Sequence, residues 1–260
     1  MELQLTPEQQ QIVESAETFL AKASAMTQVR AHTQSKAHMD NALWLAMADL
    51  GWCGVHLPES VGGLDLDWVS VCLLQEQMGR RLACVPFFDT AVLSATALKS
   101  LLPHALAEHW LTQIATEKAV ASMALSWQTG TARVHSTGWH LDGTWPSVGS
   151  AQMAQVIVLP AQTPTGETLL FALDTHSPGL QITSLETLDT TRCLAQVQAN
   201  GVNVSENQCL ARGQAAEALL TRIKYLAAIG LAAEQVGVAQ ACLDMALAYV
   251  LERQQFGRPL

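Results

Sequence analysis

The order of local patterns along the chain constrains its fold more than any single motif does. Apolar residues recur at helical spacing up to about residue 118, short β-favouring runs follow, and a helical pattern returns near residue 214. Helices, then strands, then helices are typical of segregated α+β layers. We predict an N-terminal α-helical domain (1–118), a middle antiparallel β-sandwich or barrel domain (119–213) and the beginning of a C-terminal helical bundle (214–260).

Five helices are predicted in the first domain. The earliest begins at Thr6-Pro7-Glu8-Gln9, where Thr6 can cap, Pro7 suits the first helical position and Gln9 completes a capping box. The remaining four are expected at Met39–Leu50, Trp68–Leu82, Asp89–Leu102 and Ala105–Thr116.

The middle and last regions are predicted from shorter signals. Buried strands are expected at Val156–Leu159 and Leu169–Leu173, with looser alternation over His135–Asp142. The Ala-rich stretch 214–252 contains Gly230 and Gly237. Because an interior glycine costs a helix roughly 1 kcal/mol relative to alanine, these two indicate a close approach by another helix.

Composition excludes several classes of protein. Hydrophobic residues make up 49% and charged residues 14%, which excludes intrinsic disorder. The formal net charge is −9 and no Lys/Arg-rich run occurs, so we expect no nucleic-acid partner. No run of about 18 uncharged apolar residues is present and the start lacks a signal-peptide pattern, so no membrane partner is expected. The six cysteines have no CxxC spacing, which favours reduced thiols, no metal site and a cytoplasmic location.

Three segments become specific when taken together and in order. They are LPESVGGLDLD (57–67), EQMGR (76–80) and ERQQFGRPL (252–260). Each segment alone is non-specific, because a Gly-Gly loop can be only a turn and Arg253 can simply complement a helix dipole. In this order, the chain resembles the acyl-CoA dehydrogenase family, which has a similar Gly-Gly loop, an "EElGR" helix and an R-x-x-FG-x-P signature.

The middle region supports the same resemblance. Gly138–Gly143 is similar to a family hairpin, and Leu188–Arg192 and Gly201–Val204 are similar to the last strands of its β domain. The segments MGRRLACVPF and AAEQVG most resemble those of a bacterial branch that acts on steroid side chains and other bulky acyl groups.

The resemblance implies an FAD-dependent oxidoreductase that desaturates an acyl-CoA thioester between Cα and Cβ. A carboxylate would remove the α-proton while a hydride leaves Cβ for the flavin. Such a base is best placed in an apolar pocket, where burial raises its pKa toward neutrality. The resemblance also implies an electron-transfer flavoprotein as acceptor and a homo- or hetero-oligomeric assembly.

The cofactor contacts implied by the resemblance fall in three places. Ala124 and Ser126 match a segment that meets the flavin ring, and Gly149 and Ser150 match a later contact pair. The residues that match those reaching the adenosine-pyrophosphate half, often across a subunit interface, are Arg253, Gln255 and Phe256.

No catalytic base can be named from the sequence. The usual family position lies beyond Leu260, and the alternative position aligns with Ala227, beside Ala228 where many members carry an arginine. Glu234 is the one carboxylate deep in the Ala-rich stretch, and a polar contact is favoured over catalysis for it. Two alternatives therefore stay open: a catalytically degenerate partner subunit, or a truncated fragment, of a heteromeric acyl-CoA dehydrogenase.

Overall fold

The computed structural model describes residues 4–35, 37–126, 130–255 and 258–259. Seven α-helices and one π-helix are found in these ranges. They are α1 (Pro7–Ala23), α2 (Met26–Ser35), α3 (Asn41–Asp49), α4 (Trp68–Arg81), the π-helix (Phe88–Ala95), α5 (Thr96–Lys99), α6 (Ala105–Thr116) and α7 (Gly213–Glu252).

The helix starts follow the capping chemistry of the sequence. Thr6 Oγ1 accepts from the Gln9 backbone N–H and the Gln9 side chain accepts from the Thr6 N–H, so the predicted capping box is confirmed. Helices α3 and α4 have simple caps, in which the Asp40 carboxylate accepts from the Leu43 N–H and the Asp67 carboxylate accepts from the Ser70 N–H. Helix α2 was not predicted, because it buries only Val29 and carries almost no apolar stripe.

The helix predicted over Asp89–Leu102 has a different local form. Its first part is the π-helix, which continues directly into α5. Side-chain hydroxyls support this wider winding, since Ser94 Oγ donates to Asp89 O and Thr96 Oγ1 donates to Ala91 O, each five residues back. Hydrogen bonds of this spacing cannot be predicted from the periodicity of apolar residues.

The middle region folds into an eight-stranded sheet. Its strand order is β6-β7-β3-β2-β4-β5-β8, with β1 alongside β4. The strands are β1 (Ala121–Met123), β2 (Gly130–His135), β3 (Gly138–Gly149), β4 (Val156–Gln162), β5 (Thr168–Asp174), β6 (Leu180–Leu185), β7 (Leu194–Ser205) and β8 (Cys209–Arg212), and a separate short pair is formed by β9 (Gln254–Gln255) and β10 (Arg258–Pro259).

The predicted antiparallel arrangement holds for most of the sheet, which also contains parallel pairs. Most neighbours are antiparallel, but β4 runs parallel to both β1 and β2. The loose alternation over His135–Asp142 is split by a turn, so that its first residue ends β2 and the rest begin β3. Gly138–Gly143, which resembles a family hairpin, is therefore one arm of that hairpin.

Strand β4 packs against the N-terminal helices with one face and against the rest of the β region with the other. Val156 and Val158 belong to the core shared with the N-terminal helices, whereas Ile157 and Leu159 belong to a second core inside the β region. Because successive side chains point to opposite faces, a strand buried on both faces reads as a continuous apolar run. The strands predicted over 156–159 and 169–173 are confirmed for this reason.

Helix α7 packs against α4 through glycine. A Cβ built on Gly237 would lie 1.9 Å from Glu76 O, and one built on Gly79 would lie 2.2 Å from Glu234 O. The close helix approach that Gly237 and Gly230 predicted is confirmed, since a Cβ on Gly230 would lie 2.8 Å from Val92 Cγ1.

By length and composition, α7 could also cross a membrane. Its most apolar 18-residue window has a mean hydropathy of 1.5, and 17% of that window is buried. The stretch contains no uninterrupted run of 18 uncharged apolar residues, because Glu234 and neighbouring polar residues break it. The packing of α7 on α4 and on the π-helix is that of a helix in a bundle.

Candidate active site

An open cleft of about 460 Å³ lies where the first strands of the sheet face α7. It contains two of the residues predicted to contact a flavin, Ala124 and Ser126. The full lining is Ala124, Leu125, Ser126, Trp145, Pro146, Ser147 and Lys224.

Local backbone structure explains why these residues meet. Ala124 follows β1 directly, and its N–H donates to Val158 O at 3.0 Å, which fixes it against β4. Strand β3 shifts register against β7 between Trp145 and Val148, and such a bulge redirects side chains. Trp145 itself stays buried and its Nε1 donates to Pro160 O at 3.1 Å.

Gly149 and Ser150 lie elsewhere, at a buried junction between β3 and the π-helix. Ser150 Oγ donates to Asp89 Oδ2 at 2.5 Å, and Ser122 Oγ donates to Gly149 O at 2.6 Å. A Cβ on Gly149 would lie 2.1 Å from Asp89 Oδ1, so the carboxyl fills the space beside the glycine. Ser150 lines a separate, enclosed cavity of about 40 Å³, room for a water molecule or two.

The enclosed cavity is surrounded by ionisable groups from three parts of the fold. Arg192, between β6 and β7, pairs with Glu234 of α7, and its guanidinium lies 5.3 Å from the centre of the Phe88 ring. Gln75 of α4 also donates to Glu234, at 2.6 Å. This confirms that Glu234 makes a polar interhelical contact, as the sequence favoured.

Charge and burial perturb Asp89 and Arg192 in different ways. Burial raises the pKa of Asp89 above its ordinary value, and the Ser150 hydroxyl and Arg192 only partly offset it. Burial tends to lower the pKa of Arg192, but the hydrogen bond to Glu234 and the negative charges of Glu234, Asp89 and Asp189 together outweigh burial, and the net shift is upward. The sequence gives no functional signal for Asp89, because its position at a helix start looks like ordinary capping. Arg192 lies in the segment Leu188–Arg192 that resembles the family, but the resemblance assigns it no role.

The residues matched to the adenosine half of the cofactor lie far from the cleft. Arg253 follows the end of α7, 29 positions after Lys224, which places it about 43 Å away at 1.5 Å per residue. Its guanidinium donates to the Tyr249 hydroxyl and lies over that ring. Gln255 is exposed in β9, and Phe256 falls outside the described residues.

The two alanines at the alternative base position differ in exposure. Ala227 is buried against the N-terminal core, and Ala228 is exposed on α7. Among the described residues, the lining of the open cleft includes hydroxyls, backbone amides and the Lys224 ammonium, and no carboxylate. The cleft can therefore bind and orient an anion, but this lining does not supply a proton acceptor of the carboxylate type.

Comparisons with known proteins identify the family through two models. A family model described as "Acyl-CoA dehydrogenase, N-terminal domain" matches residues 6–118, and one described as "Acyl-CoA dehydrogenase, C-terminal domain" matches residues 218–260. Together they cover more than half of the chain.

Individual relatives match at low identity over most of the chain. "Acyl-CoA dehydrogenase FadE27" of Mycobacterium tuberculosis is 27% identical over 225 residues, 85% of this chain, so the chain spans 59% of that relative. A solved structure described as "Tcur3481-Tcur3483 steroid ACAD G363A variant" is 30% identical with a TM-score of 0.84, covering 97% of this chain and 69% of that one.

The fold is shared more widely. The "ChsE4-ChsE5 complex from Mycobacterium tuberculosis" matches with a TM-score of 0.90 at 24% identity, covering 100% of this chain and 71% of that one. The architecture, the ordered segments and both family models lead to one assignment: the chain belongs to the acyl-CoA dehydrogenase family.

Proposed function

We propose that this chain forms part of an FAD-dependent acyl-CoA dehydrogenase that desaturates an acyl-CoA thioester between Cα and Cβ. Family membership carries the proposal, and the open cleft supplies a place for the chemistry beside Ala124 and Ser126. We keep the division into domains 1–118, 119–213 and 214–260 as part of the proposal.

The residues present fit FAD as two separate half-sites. The cleft offers the Ala124 backbone and the Ser126 and Ser147 hydroxyls for a planar ring, with the Lys224 ammonium nearby. Arg253 and Gln255 lie about 43 Å away along α7, farther than one extended dinucleotide reaches. A complete site therefore requires the ring half of one chain and the Arg253 half of a second chain.

Each half-site has a role derived from its own groups. The hydroxyls and backbone amides would orient a bound ring by hydrogen bonds, and the buried Trp145 fixes one end of the bulge that contains Ser147. The Arg253 guanidinium can bind a pyrophosphate with two parallel N–H donors. When bound, FAD supplies the hydride-accepting chemistry, which belongs to the cofactor itself.

Gly149 and Ser150 are kept as candidate contacts of a different kind. Their side of β3 is filled by Asp89, so neither can touch a bound ring while that carboxyl stays in place. We propose that they stabilise the cleft indirectly, because Ser122 of β1 donates to Gly149 O and β1 leads directly to Ala124.

The substrate class and partners are proposed from the relatives. One solved relative is described as a "steroid ACAD", which supports a bulky or steroid side-chain acyl group here. We propose a cytoplasmic homo- or hetero-oligomer with an electron-transfer flavoprotein as electron acceptor.

A catalytically degenerate partner subunit is the second candidate function. It is favoured by Ala227 and Ala228 at the alternative base position and by a cleft lining without a carboxylate among the described residues. The solved ChsE4-ChsE5 complex pairs two differently named chains. In such an assembly this chain would contribute Arg253 to the flavin site of its partner.

Reconstitution separates the two candidates. The purified chain is incubated with FAD, alone and with a full-length homologous dehydrogenase, then gel-filtered and assayed for flavin absorbance and acyl-CoA-dependent dye reduction. Flavin and activity from the chain alone support the enzyme, whereas activity that appears only in the mixture supports the partner subunit. If neither sample retains flavin, both proposals are wrong.

A further inference from the structure

A second cleft, on the opposite side of α7 from the flavin half-site, has no role in the proposed function. It has a volume of about 490 Å³ and lies between the start of α4, α5 and the first third of α7. Its lining residues are His56, Leu66, Asp67, Trp68, Thr96, Lys99, Ser100, Arg222 and Leu226.

Two buried polar atoms of this lining have no hydrogen-bond partner among the described residues. They are Nδ1 of His56, a residue only 4% exposed, and Nε1 of Trp68. The two rings are in edge-to-face contact, with centroids 5.6 Å apart. A buried donor or acceptor without a partner loses its hydration and gains nothing in return, so a pair of them beside one cleft favours a bound polar group there, either water or a ligand.

The hydrogen bonds around His56 determine whether Nδ1, its second ring nitrogen, is a donor or an acceptor. Thr96 has one hydroxyl proton, which it donates to Ala91 O at 3.2 Å, so the His56–Thr96 bond of 3.1 Å is donated by His56 Nε2. Nδ1 therefore carries a lone pair that lacks a donor within the described part of the chain. Burial, with the nearby Lys99 charge, lowers the pKa of His56 to about 4, so the ring stays neutral at neutral pH.

Two cations make the cleft suitable for an anion. The Lys99 ammonium is held over the site because it donates to His56 O at 2.5 Å, and Arg222 lies on the facing side, on α7. Asp67 is the opposing charge, but its oxygens already accept from Ser70 and Gln9. Burial would raise the pKa of Asp67, yet those bonds outweigh it and the net shift is downward.

We propose that this cleft binds a small oxyanion that also carries a hydroxyl proton, either a short hydroxycarboxylic acid or hydrogen phosphate. The anionic oxygens would accept from Trp68 Nε1, Lys99 and Arg222, and the hydroxyl would donate to His56 Nδ1. Leu66 and Leu226 would cover a short apolar tail. The site stands independently of the flavin half-site, so failure of either proposal leaves the other intact.

The indole resonances of the full chain test this site. The protein, labelled with ¹⁵N-tryptophan, is titrated with 2-hydroxybutanoate and, separately, with inorganic phosphate, and Trp68→Phe identifies the Trp68 signal. We expect a saturable shift confined to Trp68 with at least one probe. The probe that saturates at the lower concentration distinguishes the carboxylate from the phosphate.

Matched controls make the result decisive. Arg222→Met should weaken the binding about tenfold or more, while Arg133→Met, on the exposed β2 strand, should not change it. Butanoate, which lacks the hydroxyl, should bind more weakly than 2-hydroxybutanoate, which tests His56 without a substitution in the core. No Trp68 shift with either probe would mean that the cleft holds water only, and a shift that Arg222→Met leaves unchanged would mean that the probe binds without the proposed anion contacts. Either result would overturn the proposal.

Discussion

Asp89 illustrates how one residue can couple two parts of this fold. It lies in the π-helix, its carboxyl accepts from Ser150 of the β region, and it fills the space beside Gly149. Its raised pKa means that the folded chain holds the Asp89 proton more tightly than the unfolded chain does. The free energy of unfolding therefore carries a pH-dependent contribution from this one group.

Asp89→Asn should remove that contribution. The unfolded carboxyl loses its proton near the ordinary value of 3.8, so wild-type stability should fall as pH rises from there through the raised native pKa. The amide introduced by this substitution keeps an oxygen for the Ser150 hydroxyl but does not titrate. Urea denaturation between about pH 4 and pH 8 should show the difference between variant and wild type growing in the variant's favour. Parallel pH profiles would contradict the prediction.

At this scale, two of the predicted flavin contacts lie together in one cleft and two lie apart from it, for a physical reason. Ala124 and Ser126 line the open cleft, where the resemblance placed them near a flavin. Beyond the β3 bulge between Trp145 and Val148, Gly149 packs against Asp89 and Ser150 lines a different cavity. A bulge depends on pairing with β7, some 50 residues away, and so leaves no local signal.

The packing of the last helix, α7, depends on its contact with α4. Gly237→Ala would place a Cβ 1.9 Å from Glu76 O, a backbone atom that cannot move without shifting α4. We expect destabilisation by about 1–3 kcal/mol or more, despite alanine's higher helix propensity. Val236→Ala, at an exposed neighbour, should stay within about 0.5 kcal/mol in the same urea titration. Equal stability of the two variants would show that the helices separate easily.

A second link ties the β region to α7 through Arg192 and Glu234. Arg192→Met should cost about 1–3 kcal/mol, less than a fully buried pair, because the two side chains are 37% and 19% exposed. Arg133→Met breaks the more exposed pair with Asp142 and should cost less than about 1 kcal/mol. A double-mutant cycle with Glu234→Gln isolates the coupling, and a coupling energy near zero would refute the link.

Elements with strong local signals were predictable, and elements defined by their surroundings were not. The capping box of α1 and the apolar run of β4 each specify their own structure. Helix α2 and the π-helix do not, since α2 buries one side chain and the π-helix is supported by bonds to residues five positions back. The parallel pairing of β4 with β1 is likewise set by tertiary contact, beyond the reach of residue patterns.

For the whole molecule, the exposed C-terminal half of α7 is an apolar surface suited to a partner. Large apolar side chains stand in solvent along its C-terminal half, a surface typical of interfaces. These residues are Val236, Leu243, Met245, Leu247, Tyr249, Val250 and Leu251. We expect the chain to self-associate in sedimentation equilibrium and Leu247→Glu to shift it toward monomer. Val134→Glu, on the exposed hairpin, is the matched control, and a monomeric wild type would contradict the expectation.

Assembly and flavin binding should be linked, because the two half-sites lie too far apart within one chain. If Arg253 completes the site of a second chain, FAD uptake should rise with protein concentration in step with association. Arg253→Met should weaken FAD binding by about tenfold or more while the assembly mass stays the same, since the residue would contact pyrophosphate rather than hold the chains together. Arg133→Met is again the control. FAD uptake that is independent of protein concentration and of Arg253 would place the whole cofactor on one chain, and the two-chain site would then be wrong.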